Sequence, residues 1–177
     1  MNTSMKLISW SQTFACGIKL VDEQHKGLID LVNEMYSHVT GNEEQERKYF
    51  DKVIHKAVEY IKVHFAAEEK ILRTTNFLGY IEHKKAHDNF ILVVAQAISN
   101  FSSGKHISLY TFTKFLKTWI LSHIAVMDKQ YFAYLKKIAS RKTDGKLSIT
   151  WMDIQSASMS LKTNLTPVRQ VQTVTQE

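Results

Sequence analysis

Apolar residues recur every three or four positions along most of the chain before residue 140, which is the spacing of one face of an α-helix. Four such stripes follow one another, separated by residues that commonly end or begin helices. The first helix is predicted at about 21–39, the second after the cap residue Asn42, the third at about 80–101 and the fourth from near Ser108. Long apolar stripes joined by short loops predict an all-α protein, an antiparallel up-down-up-down four-helix bundle.

The bundle is expected to occupy residues 1–140, with an N-terminal arm ahead of the first helix, and residues 141–177 are expected to form a C-terminal tail or linker. In the tail the composition changes to threonine, serine, glutamine and valine, with no aromatic residue after Trp151. Pro167 interrupts its weak heptad pattern, so disorder and helix both stay open for this segment. The heptad positions are Ile154, Ala157, Leu161, Asn164, Val168 and Val171.

The fourth apolar stripe changes phase once, between His123 and Asp128. A separation of five residues places two side chains about 140° apart on a regular helix. Continuing the original phase would bury Lys137, whereas restarting it at Asp128 buries Tyr131 and Leu135. We therefore predict that one extra residue is accommodated here, as a π-bulge or a local break, and that it turns Asp128 inward.

Composition and charge narrow the functional classes. The hydrophobic content of 44% is ordinary for a globular protein, and no apolar run is long enough for a signal peptide or a bilayer span. The net charge of +6 raises the question of nucleic acid, but the basic pairs are short and scattered and lack a base-stacking motif, so no nucleic-acid partner is expected. The single cysteine, Cys16, is expected to be a packed thiol and agrees with a cytoplasmic, reducing location.

Five of the eight histidines form a pattern with two acidic residues. Residues four apart present two donors on one helix face, as in His64 with Glu68 and His83 with His87. Imidazole suits iron, copper, zinc and nickel, whereas magnesium and calcium prefer oxygen, so the set indicates a transition metal. Seven donors exceed one ion's usual shell, and two six-coordinate ions sharing a bridging oxygen would keep one position open. The candidate metal ligands are His25, His64, Glu68, His83, His87, His123 and Asp128.

These residues stand in motifs that resemble the hemerythrin family, and more closely its bacterial hemerythrin-like domains. The resemblance covers Trp10 to about Ile138, and its motifs are Asp22-Glu23-Gln24-His25, His64-Phe65-Ala66-Ala67-Glu68-Glu69, His83-Lys84-Lys85-Ala86-His87-Asp88-Asn89-Phe90 and His123 through Asp128. One departure is Phe77-Leu78, where the family usually has a tyrosine-proline pair. It lies in the loop before the third helix and leaves the ligand positions intact.

The resemblance implies reversible O2 binding at a non-haem centre of two iron ions with a bridging oxo or hydroxo group. It assigns His83, His87 and His123 to one iron and His25 and His64 to the other, with Glu68 and Asp128 bridging both. The open position then belongs to the iron held by two histidines.

Apolar residues next to the ligands by helical spacing are expected to line the O2 pocket and to exclude water. Plain core packing accounts equally well for each of them singly. They are Leu28, Phe65, Trp119, Ile120 and Ile124. The remaining histidines, His38, His55 and His106, are expected to face solvent.

The leading functional prediction is an O2-binding module and not an enzyme, either an oxygen carrier or the oxygen sensor domain of a signalling protein. Bacterial hemerythrin domains are often attached to outputs such as diguanylate cyclases or chemoreceptors, so the tail is interpreted as a linker to one. A di-iron enzyme acting on nitric oxide, peroxide or ferrous iron stays open, as does a helical interaction domain that binds zinc. Binding is favoured over turnover because no histidine has a glutamate three residues before it, unlike the ferritin-like di-iron proteins.

Overall fold

The computed structural model describes residues 6–139, and the structural statements below concern that part of the chain. Within it the structure is all-helical, and the predicted four-helix bundle is confirmed. The helices are α1 (Lys19–Ser37), α2 (Glu43–Thr74), α3 (Tyr80–Ser102), α4 (Leu109–Ser122) and α5 (Asp128–Ala139), and one π-helical turn, His123–Met127, joins α4 to α5 as a single long rod. The predicted π-bulge is thus confirmed. The tail after residue 140, its heptad and the division at that residue lie outside the described residues and stay predictions.

Polar side chains fix the helix ends that the sequence marked. The Asn42 side chain accepts a hydrogen bond from the backbone N–H of Gln45 at 3.0 Å, and this caps α2. Ser108 caps α4 in the same way, accepting from the N–H of Thr111 at 3.2 Å. Gly41, with a φ of +76°, turns the chain between α1 and α2 in a conformation that favours glycine. Short, capped connections therefore hold neighbouring helices antiparallel.

The N-terminal arm is fastened to α1 by hydrogen bonds between side chains and backbone. The Asn33 side chain both accepts from the N–H of Ile8, at 2.9 Å, and donates to its carbonyl, at 2.8 Å. Nearer the helix, the Asp22 carboxylate accepts from the N–H of Cys16 at 2.6 Å. The Cys16 thiol is buried, as predicted. The arm therefore packs along the bundle instead of extending from it.

Two apolar clusters lie one above the other along the bundle axis, and the metal-ligand candidates lie between them. On α1, His25 stands between Val21 of the smaller cluster and Leu28 of the larger. On α2, His64 stands between Ile61 of the larger cluster and Ile71 of the smaller. The smaller cluster consists of Cys16, Ile18, Val21, Ile71, Leu72, Tyr131, Phe132 and Leu135. Both sides of the polar layer are therefore closed by packed hydrocarbon, which lowers the local dielectric constant.

Most of the large apolar side chains that are exposed on the described bundle lie on α3 or just before it, and the others are Tyr110, Leu121 and Val126. Leu92 and Val93 of that helix are 67% and 46% exposed. The three histidines expected to face solvent, His38, His55 and His106, are exposed, as predicted. No helix among residues 6–139 is both long and apolar enough to cross a membrane.

Candidate metal centre

The structure brings all seven candidate ligands into one buried cluster. None of these seven residues is more than 2% exposed to solvent. Every rod of the bundle contributes, because α1, α2 and α3 supply donors and the joined fourth rod supplies two more. The donors are His25 on α1, His64 and Glu68 on α2, His83 and His87 on α3, His123 in the π-helical turn and Asp128 at the start of α5.

One group of donors gathers around three histidines. Glu68, His83, His87 and His123 each offer one ligand atom, and these atoms all lie within 4.8 Å of one another. Nε2 of His83 and Nε2 of His87 are each 3.4 Å from Glu68 Oε2. Nε2 of His87 is also 2.9 Å from Nε2 of His123. These atoms converge on a common point, as the ligands of one metal ion do.

A second group consists of His25, His64 and Glu68, whose ligand atoms also lie within 4.8 Å of one another. His25 Nε2 is 3.7 Å from Glu68 Oε1, and His64 Nε2 is 3.7 Å from Glu68 Oε2. Glu68 therefore belongs to both groups. A carboxylate shared by two groups of imidazoles is suited to bridge two ions.

Asp128 lies between the same two groups. Its Oδ2 is 3.3 Å from His25 Nε2, and its Oδ1 is 3.3 Å from His123 Nε2 and 3.5 Å from His83 Nε2. The wider π-helical turn makes this possible, since it brings residues five apart onto one face. The phase change in the apolar stripe therefore directs the imidazole of His123 and the carboxylate of Asp128 toward the same point.

Hydrogen bonding within the described residues leaves part of this cluster unpaired. Both ring nitrogens of His25, Nε2 of His64 and both carboxylate oxygens of Asp128 are buried without a hydrogen-bond partner there. A buried polar group left unpaired costs about 1–3 kcal/mol, so such atoms are rarely gathered in one place without a ligand. Five imidazoles and two carboxylates are suitable donors for transition-metal ions, and a bound metal would satisfy the unpaired atoms.

Two residues next to the ligands orient their imidazoles. Nδ1 of His64 is 3.2 Å from Gln24 Oε1, and Nδ1 of His87 is 3.2 Å from Glu69 Oε1. An amide oxygen and a carboxylate accept hydrogen bonds, so each Nδ1 carries the proton and each Nε2 presents its lone pair to the cluster. The sequence pattern does not assign these roles to Gln24 and Glu69. Both residues nevertheless lie directly beside ligands in the motifs, which is the signal that could have found them.

Tyr131 makes a further contact that the sequence pattern does not predict. The pattern predicts only that Tyr131 is buried, and it is, but its hydroxyl also donates a hydrogen bond to Glu68 Oε1. Burial, together with the carboxylates of Glu68 and Asp128, raises the pKa of Tyr131 well above its usual value. The phenol therefore stays protonated and holds the shared carboxylate in place.

The pKa values of the cluster favour neutral imidazoles at two positions and a proton at two others, His25 and His83. Burial lowers the pKa of His83, but the carboxylates of Glu68 and Asp128 outweigh it and raise that pKa above its usual value. Burial lowers the pKa of His64 to about 3 and that of His123 to about 2. Burial also lowers the pKa of His25, but the nearby carboxylates of Asp128 and Glu68 outweigh it and raise that pKa to about 9. A metal ion bound at His25 would have to displace this proton, so its binding would release a proton to solvent.

The pKa values of the two carboxylates, Glu68 and Asp128, are shifted in opposite directions. Burial raises the pKa of Glu68, but the neighbouring histidines, His64 first among them, bring it well below its usual value. Burial and the charge of Glu68 raise the pKa of Asp128 to about 6. The opposed shifts are those of two acids placed close together, where ionising one makes ionising the other harder.

The five residues predicted to line an O2 pocket border the cluster on the side of the larger apolar cluster. Phe65 stacks on His87 with ring centroids 3.7 Å apart, and Trp119 stacks on His123 at 4.2 Å. Both rings therefore touch the group of three histidines, and Phe65 also lies 5.8 Å from the His64 ring. The aliphatic members, Leu28, Ile120 and Ile124, are each no more than 2% exposed. Their role toward O2 stays a prediction.

Comparison with known proteins identifies the family. The model of the hemerythrin HHE cation binding domain matches residues 16–135, which is more than half of the chain. The chain belongs to the hemerythrin family. The resemblance inferred from the motifs is thereby confirmed, and the hemerythrin match includes all seven candidate ligands.

The relatives and solved structures of this family agree with the match. The chain is 30% identical to a bacteriohemerythrin of Methylococcus capsulatus over 129 residues, which covers 72% of this chain and 95% of the relative. It is 30% identical to a bacteriohemerythrin of Stenotrophomonas maltophilia over 132 residues, covering 75% and 84%. A crystal structure of wild-type hemerythrin, 29% identical, superposes with a TM-score of 0.61 and covers 72% of this chain and 96% of its own. The hemerythrin fold therefore accounts for the bundle.

Proposed function

We propose that this hemerythrin-family chain binds O2 reversibly at a centre of two iron ions and acts as an oxygen-binding module, a sensor domain or a carrier, and not as an enzyme. The observation that carries the proposal is the buried set of seven donors, six of which form two groups that share Glu68, while the seventh, Asp128, lies between the two groups. Two groups with a shared carboxylate favour two ions over one. An imidazole-rich set favours iron over magnesium or calcium.

The proposed assignment follows the two groups. His83, His87 and His123 would hold one iron, and His25 and His64 would hold the other, with the carboxylates of Glu68 and Asp128 bridging the pair. The iron with fewer histidines would keep a position for O2. A bound pair of ferrous ions would supply the electrons that reversible O2 binding uses.

The protein's own part in this function is to hold the donors and to exclude water. Gln24 and Glu69 accept the Nδ1–H groups of two ligands, which fixes those rings with Nε2 toward the cluster. Tyr131 holds Glu68. The surrounding apolar side chains, with Ile120 and Ile124 among them, close the site against water and against the protons that would release reduced oxygen.

An optical titration tests the proposed function. Protein loaded with ferrous iron without air should contain two iron ions per chain, develop a visible absorption band when O2 is admitted and lose it when O2 is removed. A band that appears only once, or steady consumption of O2 with a reductant, would favour the enzyme alternative. The His123→Ala variant is expected to form no stable band, and full binding of zinc without any response to iron would contradict the proposal.

We propose the sensor role on a separate ground, which is that 37 residues of different composition follow residue 140. Such a segment suits a linker to an output domain, for example a diguanylate cyclase or a chemoreceptor. The test is to read the gene beyond the codon of Glu177. A reading frame that continues into an output domain supports the sensor role, and one that stops there favours the carrier.

A further inference from the structure

A groove on the outside of the bundle runs between α2 and α3. It has a volume of about 190 Å³ and is lined by Val58, Ile61, Lys62, Ile91, Val94, Ala95 and Ile98. Six of these seven side chains are apolar. The groove lies on the solvent side of the bundle and contains none of the candidate metal ligands.

The face of α3 beside the groove is also apolar and uncovered within residues 6–139. Ile91 is 44% exposed and Leu92 is 67% exposed. Ile81 and Leu78, at the end of the bundle where α3 begins, are 67% and 96% exposed. Several large apolar side chains exposed near one another on the same helix commonly mark an interaction site. We therefore expect another apolar surface to cover the groove and the exposed side chains beside it.

The sequence after the bundle offers a segment with a matching apolar face. Asp144 and Gly145 come before this segment and Pro167 follows it, and such residues commonly bound a helix. A helix over residues 147–165 would be about 28 Å long. Its apolar residues stand at alternating spacings of four and three, the pattern of a helix that packs on a neighbour, with Ser158 as the one polar member. They are Leu147, Trp151, Ile154, Leu161 and Leu165.

This segment begins close enough to reach the groove. The last turns of α5 lie at the end of the bundle where α2 passes to α3, because the Tyr134 hydroxyl donates to the carbonyl of Thr75 at 2.6 Å. Ile138 and Tyr80 pack against the same small cluster. From Tyr80, the groove residues lie about 17–27 Å along α3. Residues 140–146 can span about 23 Å when extended, and the helix would continue from there alongside α3.

A tethered segment of this chain suits the groove better than a second copy. The ion pair between Lys84 and Asp88, at 2.6 Å, interrupts the apolar face of α3 between Ile81 and Leu92. Two flat copies of this face would meet across charged side chains, whereas a single helix can place its apolar residues in the groove alone. Attachment to α5 also gives the segment an effective concentration on the order of millimolar.

We propose that residues 147–165 form an amphipathic helix that docks in the groove between α2 and α3, with Trp151 and Ile154 placed against Ile91 and Ile98. The docking covers the exposed apolar face of α3 and adds a fifth rod beside the four formed by α1, α2, α3 and the joined α4 and α5. It is independent of the proposed O2 function, because it uses none of the metal ligands.

The fluorescence of Trp151 tests the proposal in the full, metal-loaded chain. Trp10 and Trp119 are present in both the unchanged protein and its Trp151→Phe variant, so the difference between the two spectra reports Trp151. We expect a blue-shifted emission that is shielded from acrylamide. The Ala95→Glu substitution, which places a carboxylate in the groove, should abolish both the blue shift and the shielding.

The matched control is Val93→Glu. Val93 lies on the same helix and is 46% exposed, but it faces about 200° away from Ala95 and should leave Trp151 unchanged. The Ile154→Lys substitution alters the tail and not the bundle. It should abolish the blue shift and the shielding of Trp151, and it tests the docking even if the Ala95→Glu variant folds poorly. An exposed Trp151 in the unchanged chain, or one that Ile154→Lys does not affect, would overturn the proposal. The proposal would also be overturned if sedimentation showed a dimer and the shielding of Trp151 disappeared on dilution.

Discussion

Deletion of Val126 is the sharpest test of why the fourth rod of the bundle contains a π-helical turn. Val126 lies in that turn and is 57% exposed, so its removal takes little from the core. It brings His123 and Asp128 to a spacing of four, which places two side chains about 40° apart on a regular helix. His64 and Glu68 already have that spacing. The turn should therefore become ordinary α-helix, and both donors should still face the cluster.

The size of the expected effect follows from what α5 buries. Tyr131 and Leu135 are 0% exposed. If the deletion rotated α5 by the usual 100° per residue, both side chains would leave the core, at about 2–5 kcal/mol each. Since closure of the π-helical turn restores the phase, we expect the free energy of unfolding to fall by less than about 2 kcal/mol, with metal stoichiometry unchanged.

Deletion of Leu121 is the matched control. This residue is also exposed, at 39%, but it lies in regular α-helix just before His123, so its loss rotates His123 away from the cluster. Urea denaturation and metal analysis of both deletion variants provide the comparison. The reasoning is refuted if the variant lacking Val126 loses stability or metal as severely as the variant lacking Leu121.

Two further predictions concern the hydrogen bonds and the electrostatics of the cluster. Glu69→Ala removes the acceptor of a ligand Nδ1–H and should weaken metal binding by about 10–100-fold in chelator competition, whereas Glu59→Ala, an exposed change on the same helix, should not alter it. The metal-free protein should become less stable as the pH falls from 6 to 4. In that range His64 and His123 take up two protons only on unfolding, and Asp128 releases one. Glu68, whose pKa is lowered in the folded protein, also takes up a proton on unfolding as the pH approaches 4, whereas His25 and His83, whose pKa values are raised, stay protonated in both states. The net uptake of at least one proton corresponds to at least about 1.4 kcal/mol per pH unit, measured by urea denaturation at several pH values, and a flat profile would contradict these shifts.

The features that the sequence predicted well are those governed by position along one helix. The apolar stripes, the cap at Asn42, the start of the fourth helix near Ser108 and the phase change before Asp128 depend on local spacing, which the sequence contains directly. The seven donors share a face with the stripes, so burying the stripes also brings the donors together. For the same reason, the proximity of His25 to His64 can be predicted from the apolar faces of their helices, without information about the loops.

The contacts that the sequence did not predict depend on how one helix is rotated against the next. Gln24 reaches His64 from α1, Glu69 reaches His87 across the interface of α2 and α3, and Tyr131 reaches Glu68 from α5. Periodicity predicts that Tyr131 is buried but not which atom its hydroxyl meets. Such pairs are decided by side-chain reach across an interface.

The central claim is that the seven donors hold two iron ions in the layer between the two apolar clusters. Anomalous scattering at the iron edge, from crystals of the iron-loaded protein, tests it most directly. The account predicts two iron peaks, one within bonding distance of Nε2 of His83, His87 and His123 and the other within bonding distance of His25 and His64, with Glu68 and Asp128 reaching both. A single peak, or iron bound away from these side chains, would contradict it.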